Sequence, residues 1–294
     1  GAIPILAAIR DGLSGERPNE ILAILNGTTN YIITEMQKTG RPFAEILKVA
    51  QELGYAEADP ALDVDGIDAR DKLSILSMIA FGIIVEPDSI ATTGITGLSQ
   101  DDLRYASDLG YTVKLICSAK PIDRVAHQVA LRVTPSLVSK DSLFAAVNGS
   151  LNAILLSGEF GGQFFFSGRG AGSGPTGSAI VGDIIRIARG IKSSPFGYKE
   201  FGRGLVASNF VSRHFVRFVT KDIPGVIARI ASIFAKYEIS IDSVVQERGH
   251  NEKEKIPFVI TLKESDSSRV EQAAREMQEL DFLASRPYVM PIMS

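Results

Sequence analysis

Glu57, Asp59, Asp63, Asp65 and Asp68 lead into Lys72, and the charged run ends abruptly in the apolar segment 73–81. Asp68 and Lys72 stand four apart, so on a helix they share one face and point back towards the loop that holds Glu57 and Asp63. Carboxylates so arranged suit an ammonium group, and a lysine among them can deliver a proton or polarise an oxygen. The cluster therefore fits a small, polar, zwitterionic ligand. The same spacing also describes the start of a surface helix with a single ion pair. A second group is Gly168-Arg169-Gly170-Ala171-Gly172, which runs on through Gly174, Pro175, Thr176 and Gly177. A glycine loop between a strand and a helix N-terminus presents backbone amides to an anion, or lets two elements cross closely. Gly172-x-Gly174-x-x-Gly177 satisfies the dinucleotide expression only weakly: Pro175 interrupts it and no βαβ unit follows.

Regular elements must position these groups. The run 21–25 reads as a short strand, and Asn26-Gly27-Thr28-Thr29-Asn30 turns into a helix capped by Thr28 or Thr29. Residues 42–53 form a second helix, with Phe43, Ile46, Leu47 and Ala50 on one face and Gly54 as its stop. The charged cluster hangs between that helix and the next. From about residue 100 the period shortens. Val125, Val129, Leu131 and Val133 alternate onto one face, and 111–117, 153–156 and 163–166 are further strand-length runs, with a helix over 143–147. Beyond a Gly/Ser/Lys-rich link, the tail from Arg213 alternates strand, helix, two strands, helix and strand. The fold class predicted is α+β: a mostly antiparallel sheet covered by helices, then a small ferredoxin-like βαββαβ unit. The domains predicted are 1–195, a linker over 196–210, and 211–294, with the turn around Asp222, Gly225 and Val226 a docking place for a small ligand.

Composition narrows the function. A chain of 294 residues holds about two domains, and 45% hydrophobic residues build real cores. A net charge of −3 without a Lys/Arg cluster argues against nucleic acid and against an anionic membrane surface. No run reaches membrane-spanning length, and the opening Gly1-Ala2-Ile3-Pro4 lacks the charged start of a signal peptide. The single cysteine, Cys117, lies in an apolar run, which predicts a buried structural thiol and a reducing, cytoplasmic setting. Three scattered histidines make a metal-dependent hydrolase a poor reading.

Asn26-Gly27-Thr28-Thr29-Asn30-Tyr31, the run from Leu53-Gly54-Tyr55-Ala56-Glu57 through Asp59-Pro60, Asp63 and Asp68 to Lys72, and Gly168-Arg169-Gly170-Ala171-Gly172 with Pro175-Thr176 resemble homoserine dehydrogenase. The tail resembles an ACT domain, with Asp222-x-Pro224-Gly225-Val226 as its signature. The resemblance covers essentially the whole chain, but not the nucleotide-binding Rossmann domain with which that family begins, so the chain alone is expected to be inactive. It implies reversible oxidation of L-homoserine to L-aspartate 4-semialdehyde with NADP or NAD. Glu57 would bind the substrate ammonium, with Gly27, Thr28 and Tyr55 lining the pocket. Asp63 and Asp68 would orient the hydroxyl, and Lys72 would be the proton donor. Gly54 and Gly170 would lie close to the cofactor, and residues 166–190 would pack on the nucleotide-binding domain. Gly1 and Ile3 would offer backbone carbonyls to a sodium ion. The tail would sense an amino acid, threonine in this family, and the protein would form a homodimer or homotetramer. A purely regulatory, non-catalytic module is the alternative.

Overall fold

The computed structural model describes residues 2–191, 201–207, 210–246 and 255–293. In chain order the principal elements are β1 (Pro18–Ile24), α1 (Gly27–Thr39), α2 (Phe43–Glu52), the single turn α3 (Ala61–Val64), α4 (Ile67–Phe81), α5 (Gln100–Asp108), β2 (Tyr111–Asp123) and β3 (Gln128–Ser139). They continue as β4 (Leu151–Gly158), β5 (Gln163–Arg169), α6 (Ser173–Ala188), β6 (Val211–Thr220), α7 (Val226–Lys236), β7 (Ile241–Val245), β8 (Ile256–Asp266), α8 (Ser267–Met277) and β9 (Tyr288–Met293). The chain divides into two compact units: residues 1–96, 114–134 and 143–207, and residues 97–113, 135–142 and 208–294.

In the first unit β1 is central. Its Ile21 faces Ala119 of β2 on one side and Leu156 of β4 on the other, and β5 adds to β4, all antiparallel. Ile21, Ala23 and Ile24 are buried. Helix α1 sends Ile32, Ile33 and Met36 into this core, and α4 sends Ala69, Leu73 and Leu76. Gly94 is held to glycine by close approach, because a side chain there would meet Val64 O and the Asp65 backbone. That contact seats the turn carrying Asp63.

Several sequence expectations are corrected. Val125 is 93% exposed, because β3 begins only at Gln128 and a turn precedes it. The expected helix over 143–147 is a 3₁₀ turn, Leu143–Ala146. Helix α6 starts at Ser173, so Pro175 lies in its first turn, where a missing N–H breaks no helical bond. The cap of α1 is Asn26, not Thr28 or Thr29. Within the expected linker, Leu205–Ala207 pairs in parallel with β3.

The second unit contains the expected βαββαβ unit. β6 lies between β8 and β9, and β7 adds to β8, all antiparallel. Helices α7 and α8 close over the sheet through Ile230, Phe234, Val270 and Met277, packed with Phe218, Phe258 and Ile260. Helix α5, which periodicity did not reveal, joins this unit through two buried contacts. Tyr105 Oη donates to Pro257 O at 3.0 Å, and Arg217 Nε donates to Asp102 Oδ1 at 2.7 Å. Burial raises the Asp102 carboxyl, while Arg217 and the Ser99 cap pull it back.

Candidate functional site

The site begins where β1 ends. Asn26 leaves the strand in an extended conformation and caps α1, its Oδ1 accepting from Thr29 N at 2.8 Å. The other end of the same amide donates twice, from Nδ2 to Asp63 Oδ1 at 2.6 Å and to Asp68 Oδ2 at 2.8 Å. Only an amide fits this position, because the cap needs an acceptor and the two carboxylates need donors. Asp63 comes from α3. Asp68 sits in the first turn of α4, beyond Gly66, whose φ of 81° allows the reversal between the two helices. Lys72 lies one turn on and donates from Nζ to Asp68 Oδ2 at 2.7 Å and to Leu25 O at 3.3 Å.

The structure thus joins three expected residues, Asp63, Asp68 and Lys72, through one that sequence reasoning passed over as a site residue. The side chain of Lys72 is 51% exposed and that of Asp68 31%. An ion pair this wet adds little to stability. Its charges face outward, available to a ligand.

Around this network the first turn of α1 meets the turn after α2. Thr28 Oγ1 donates to Tyr55 O at 2.6 Å, and the Tyr55 ring stacks on Tyr31 with centroids 4.6 Å apart. Gly54 holds the turn in the left-handed region at φ 76°. Glu57 is exposed, and among the described residues its carboxylate has no ion pair, which leaves it open to a cation.

Gly170 follows β5 directly. A Cβ there would stand 2.7 Å from both Cγ and Oδ1 of Asn152, so this backbone stays bare for a physical reason. A Cβ on Gly27 would stand 2.9 Å from Ser150 O and 3.4 Å from Asn152 Oδ1. One carboxamide therefore lies against both glycines, joining the helix start to the glycine loop.

The remaining expectations have these positions. Of the carbonyls expected to bind sodium, Gly1 lies outside the described residues, and Ile3 O accepts from Ile5 N at 2.9 Å. The described residues hold no cluster of three His, Cys, Asp or Glu side chains fit for a metal ion. Cys117 is fully buried, and burial pushes its thiol up to about 12, so it is inert. No described helix is long and apolar enough to cross a membrane. In the second unit Asp222, Gly225 and Val226 line a groove of about 330 Å³ with Thr220, Ile256 and Phe258.

Comparison with known proteins identifies the family. A family model described as homoserine dehydrogenase matches residues 4–185, and one for the ACT domain matches residues 214–282. A homoserine dehydrogenase from Pseudomonas aeruginosa is 37% identical over 96% of this chain and 66% of its own length. Another, from Synechocystis sp., is 41% identical over 84% of this chain and 59% of its own length. The chain therefore spans about two thirds or less of these relatives. The solved homoserine dehydrogenase from Thiobacillus denitrificans superposes with a TM-score of 0.89 at 36% identity, covering all of this chain and 68% of that one. A hyperthermophilic archaeal homoserine dehydrogenase mutant, solved in complex with NADPH, matches 65% of this chain and 54% of its own with a TM-score of 0.54 at 27% identity. The chain belongs to the homoserine dehydrogenase family, with an ACT domain following the family's core.

Proposed function

We propose that this chain is the substrate-holding and regulatory part of a homoserine dehydrogenase, which oxidises L-homoserine reversibly to L-aspartate 4-semialdehyde with NADP or NAD. The carrying observation is the hydrogen-bonded set Asn26, Asp63, Asp68 and Lys72. The open carboxylate of Glu57 receives the substrate ammonium. Gly27, Thr28 and Tyr55 line the same pocket, where the first N–H groups of α1 favour the substrate carboxylate. Asp63 and Asp68, fixed by Asn26, orient the hydroxyl. Lys72 passes a proton to the oxygen of the developing alkoxide when the aldehyde is reduced, and takes it back in oxidation. When bound, the nicotinamide cofactor supplies the hydride chemistry. The residues present fit such a group: Gly170 keeps its backbone bare beside the Asn152 carboxamide, and Gly54 offers a second side-chain-free surface.

The groove beside Asp222, Gly225 and Val226 supports a second role, binding of an amino-acid effector, with threonine the first candidate. Assembly as a homodimer or homotetramer and a cytoplasmic location complete the reading. Homoserine-dependent reduction of NADP, and of NAD, by the full-length protein at alkaline pH tests the reaction. Turnover that collapses in Lys72→Ala with NADPH binding intact supports it. Absence of turnover by the full-length protein sinks it.

A further inference from the structure

The turn after α2 carries Tyr55 and Glu57, and its parts are held in different ways. Up to Ala56 the backbone is tied to the end of the helix. Gly54 N donates to Gln51 O at 3.1 Å, and Tyr55 N and Ala56 N both donate to Ala50 O, at 2.8 Å and 3.2 Å. Ala56 is buried and closes this part. The chain is held again where α3 begins, with Asp59 Oδ1 accepting from Ala61 N at 3.1 Å. Glu57 and Ala58 lie between these anchors, both exposed, and among the described residues no backbone hydrogen bond reaches either.

What reaches them is one side chain. Gln51 Nε2 donates to Glu57 O at 3.0 Å and to Ala58 O at 3.3 Å. Two carbonyls face the amide, so its nitrogen end is the one that fits. Burial does not demand these bonds, because water can satisfy carbonyls that are exposed. Their effect is on position. A glutamate side chain swings on several bonds of its own, and its carboxylate has a defined reach only when its main chain is fixed. Gln51 takes the main chain of Glu57 and leaves the carboxylate open. It does so from the last turn of α2, a helix seated by buried Ile46 and Ala50. A binding group held in place before its ligand arrives loses less freedom on binding.

We propose that Gln51 is a positioning residue for substrate recognition: it grips the main chain of Glu57 and so sets where that carboxylate meets the ammonium of an amino-acid substrate. The proposal rests on the dehydrogenase reading above, with Glu57 as the ammonium ligand. It gives Gln51 no contact with substrate or cofactor.

The test is a double-mutant cycle in the full-length enzyme, read as homoserine KM, kcat and NADPH affinity. Gln51→Ala should raise the homoserine KM about fivefold, the worth of one net hydrogen bond, and move kcat and NADPH binding by no more than about twofold. In a Glu57→Gln background the carboxylate that Gln51 positions is gone. There the same substitution should change KM by no more than about twofold. A merely structural role gives the same factor in both backgrounds, and that result overturns the proposal. So does an unchanged KM in Gln51→Ala, or a loss that falls on kcat or on NADPH. If alanine unfolds the variant, Gln51→Met, similar in length and without a donor, carries the same comparison. An unchanged KM in Glu57→Gln alone would instead overturn Glu57 as the ammonium ligand, and absence of turnover by the wild type would overturn the dehydrogenase reading itself.

Discussion

Asn26 uses both ends of one amide, and each end answers a different need. Its oxygen caps α1, while its nitrogen holds Asp63 and Asp68 side by side near Lys72. Asn26→Asp separates the two needs. Aspartate still accepts from Thr29 N, so the cap survives. It brings a third negative charge against two carboxylates and donates to neither. Thermal stability should fall, because the new charge is buried beside two others, and kcat/KM for homoserine should fall on the order of tenfold to a hundredfold, as expected when a charge-assisted hydrogen bond becomes a repulsion. Unchanged kcat/KM would show that the tether does not set the carboxylates. Lys72→Ala should lower kcat by about a hundredfold to ten-thousandfold, the usual range for a positioned acid. Glu57→Gln should act on affinity instead, raising the homoserine KM by about tenfold or more, the worth of a hydrogen bond to a charged group. The Asp68–Lys72 pair was legible because its four-residue spacing is local. Asn26 was not, because its acidic partners stand 37 and 42 residues away.

At the scale of elements, the segment 147–152 that bears Ser150 and Asn152 is bolted to α1 and β2 by a buried ammonium. Lys114 is 0% exposed and donates from Nζ to Val147 O at 2.6 Å, Asn148 Oδ1 at 3.1 Å and Asn30 Oδ1 at 3.2 Å. Asn30 Nδ2 adds its own bonds to Val147 O and Leu151 O. The acceptors are all neutral. Burial, reinforced by Lys38, therefore pushes the Lys114 ammonium down from 10.5 to about 8. Below about 8 both folded and unfolded chains carry the proton, and the folded state bears the full penalty of the buried charge. Between about 8 and 10.5 the unfolded chain binds more protons than the folded one, so this group's contribution to stability rises with pH. Thermal melts of wild type and Lys114→Met across that window should therefore diverge, the wild type gaining relative to the variant as pH increases. Parallel curves would show that the ammonium does not titrate there. Hydrophobic period alone placed β1, α2 and the whole βαββαβ tail. It missed α5, whose Asp102 is buried. What makes that burial possible is Arg217, 115 residues further on, a pairing no local window contains.

At the scale of the whole molecule, α6 has no buried residue. Ile180, Val181, Ile184 and Ile187 are each more than half exposed. A helix gains most of its stability by burying an apolar face, and a continuous exposed one marks a contact surface. The curated relatives carry about a third or more of their length beyond what this chain matches. The residues around α6 were expected from the sequence to pack on a nucleotide-binding domain, and the exposed isoleucines give that expectation a physical basis. The proposal is that this domain covers α6 in the longer protein and brings the cofactor to the Gly170 loop, which precedes the helix. Backbone amide exchange over residues 173–188 should then be slow in the full-length protein and fast in the 294-residue chain. Ile184→Lys in the full-length protein should weaken NADPH binding, although residue 184 is far along the helix from the loop, because a lysine cannot enter an apolar seat without desolvating its charge. The same substitution in the shorter chain replaces one exposed side chain by another and should leave its melting temperature nearly unchanged. Equal exchange rates in the two proteins would mean that the added domain does not cover α6. Intact NADPH binding in the lysine variant would separate the helix from the cofactor site altogether.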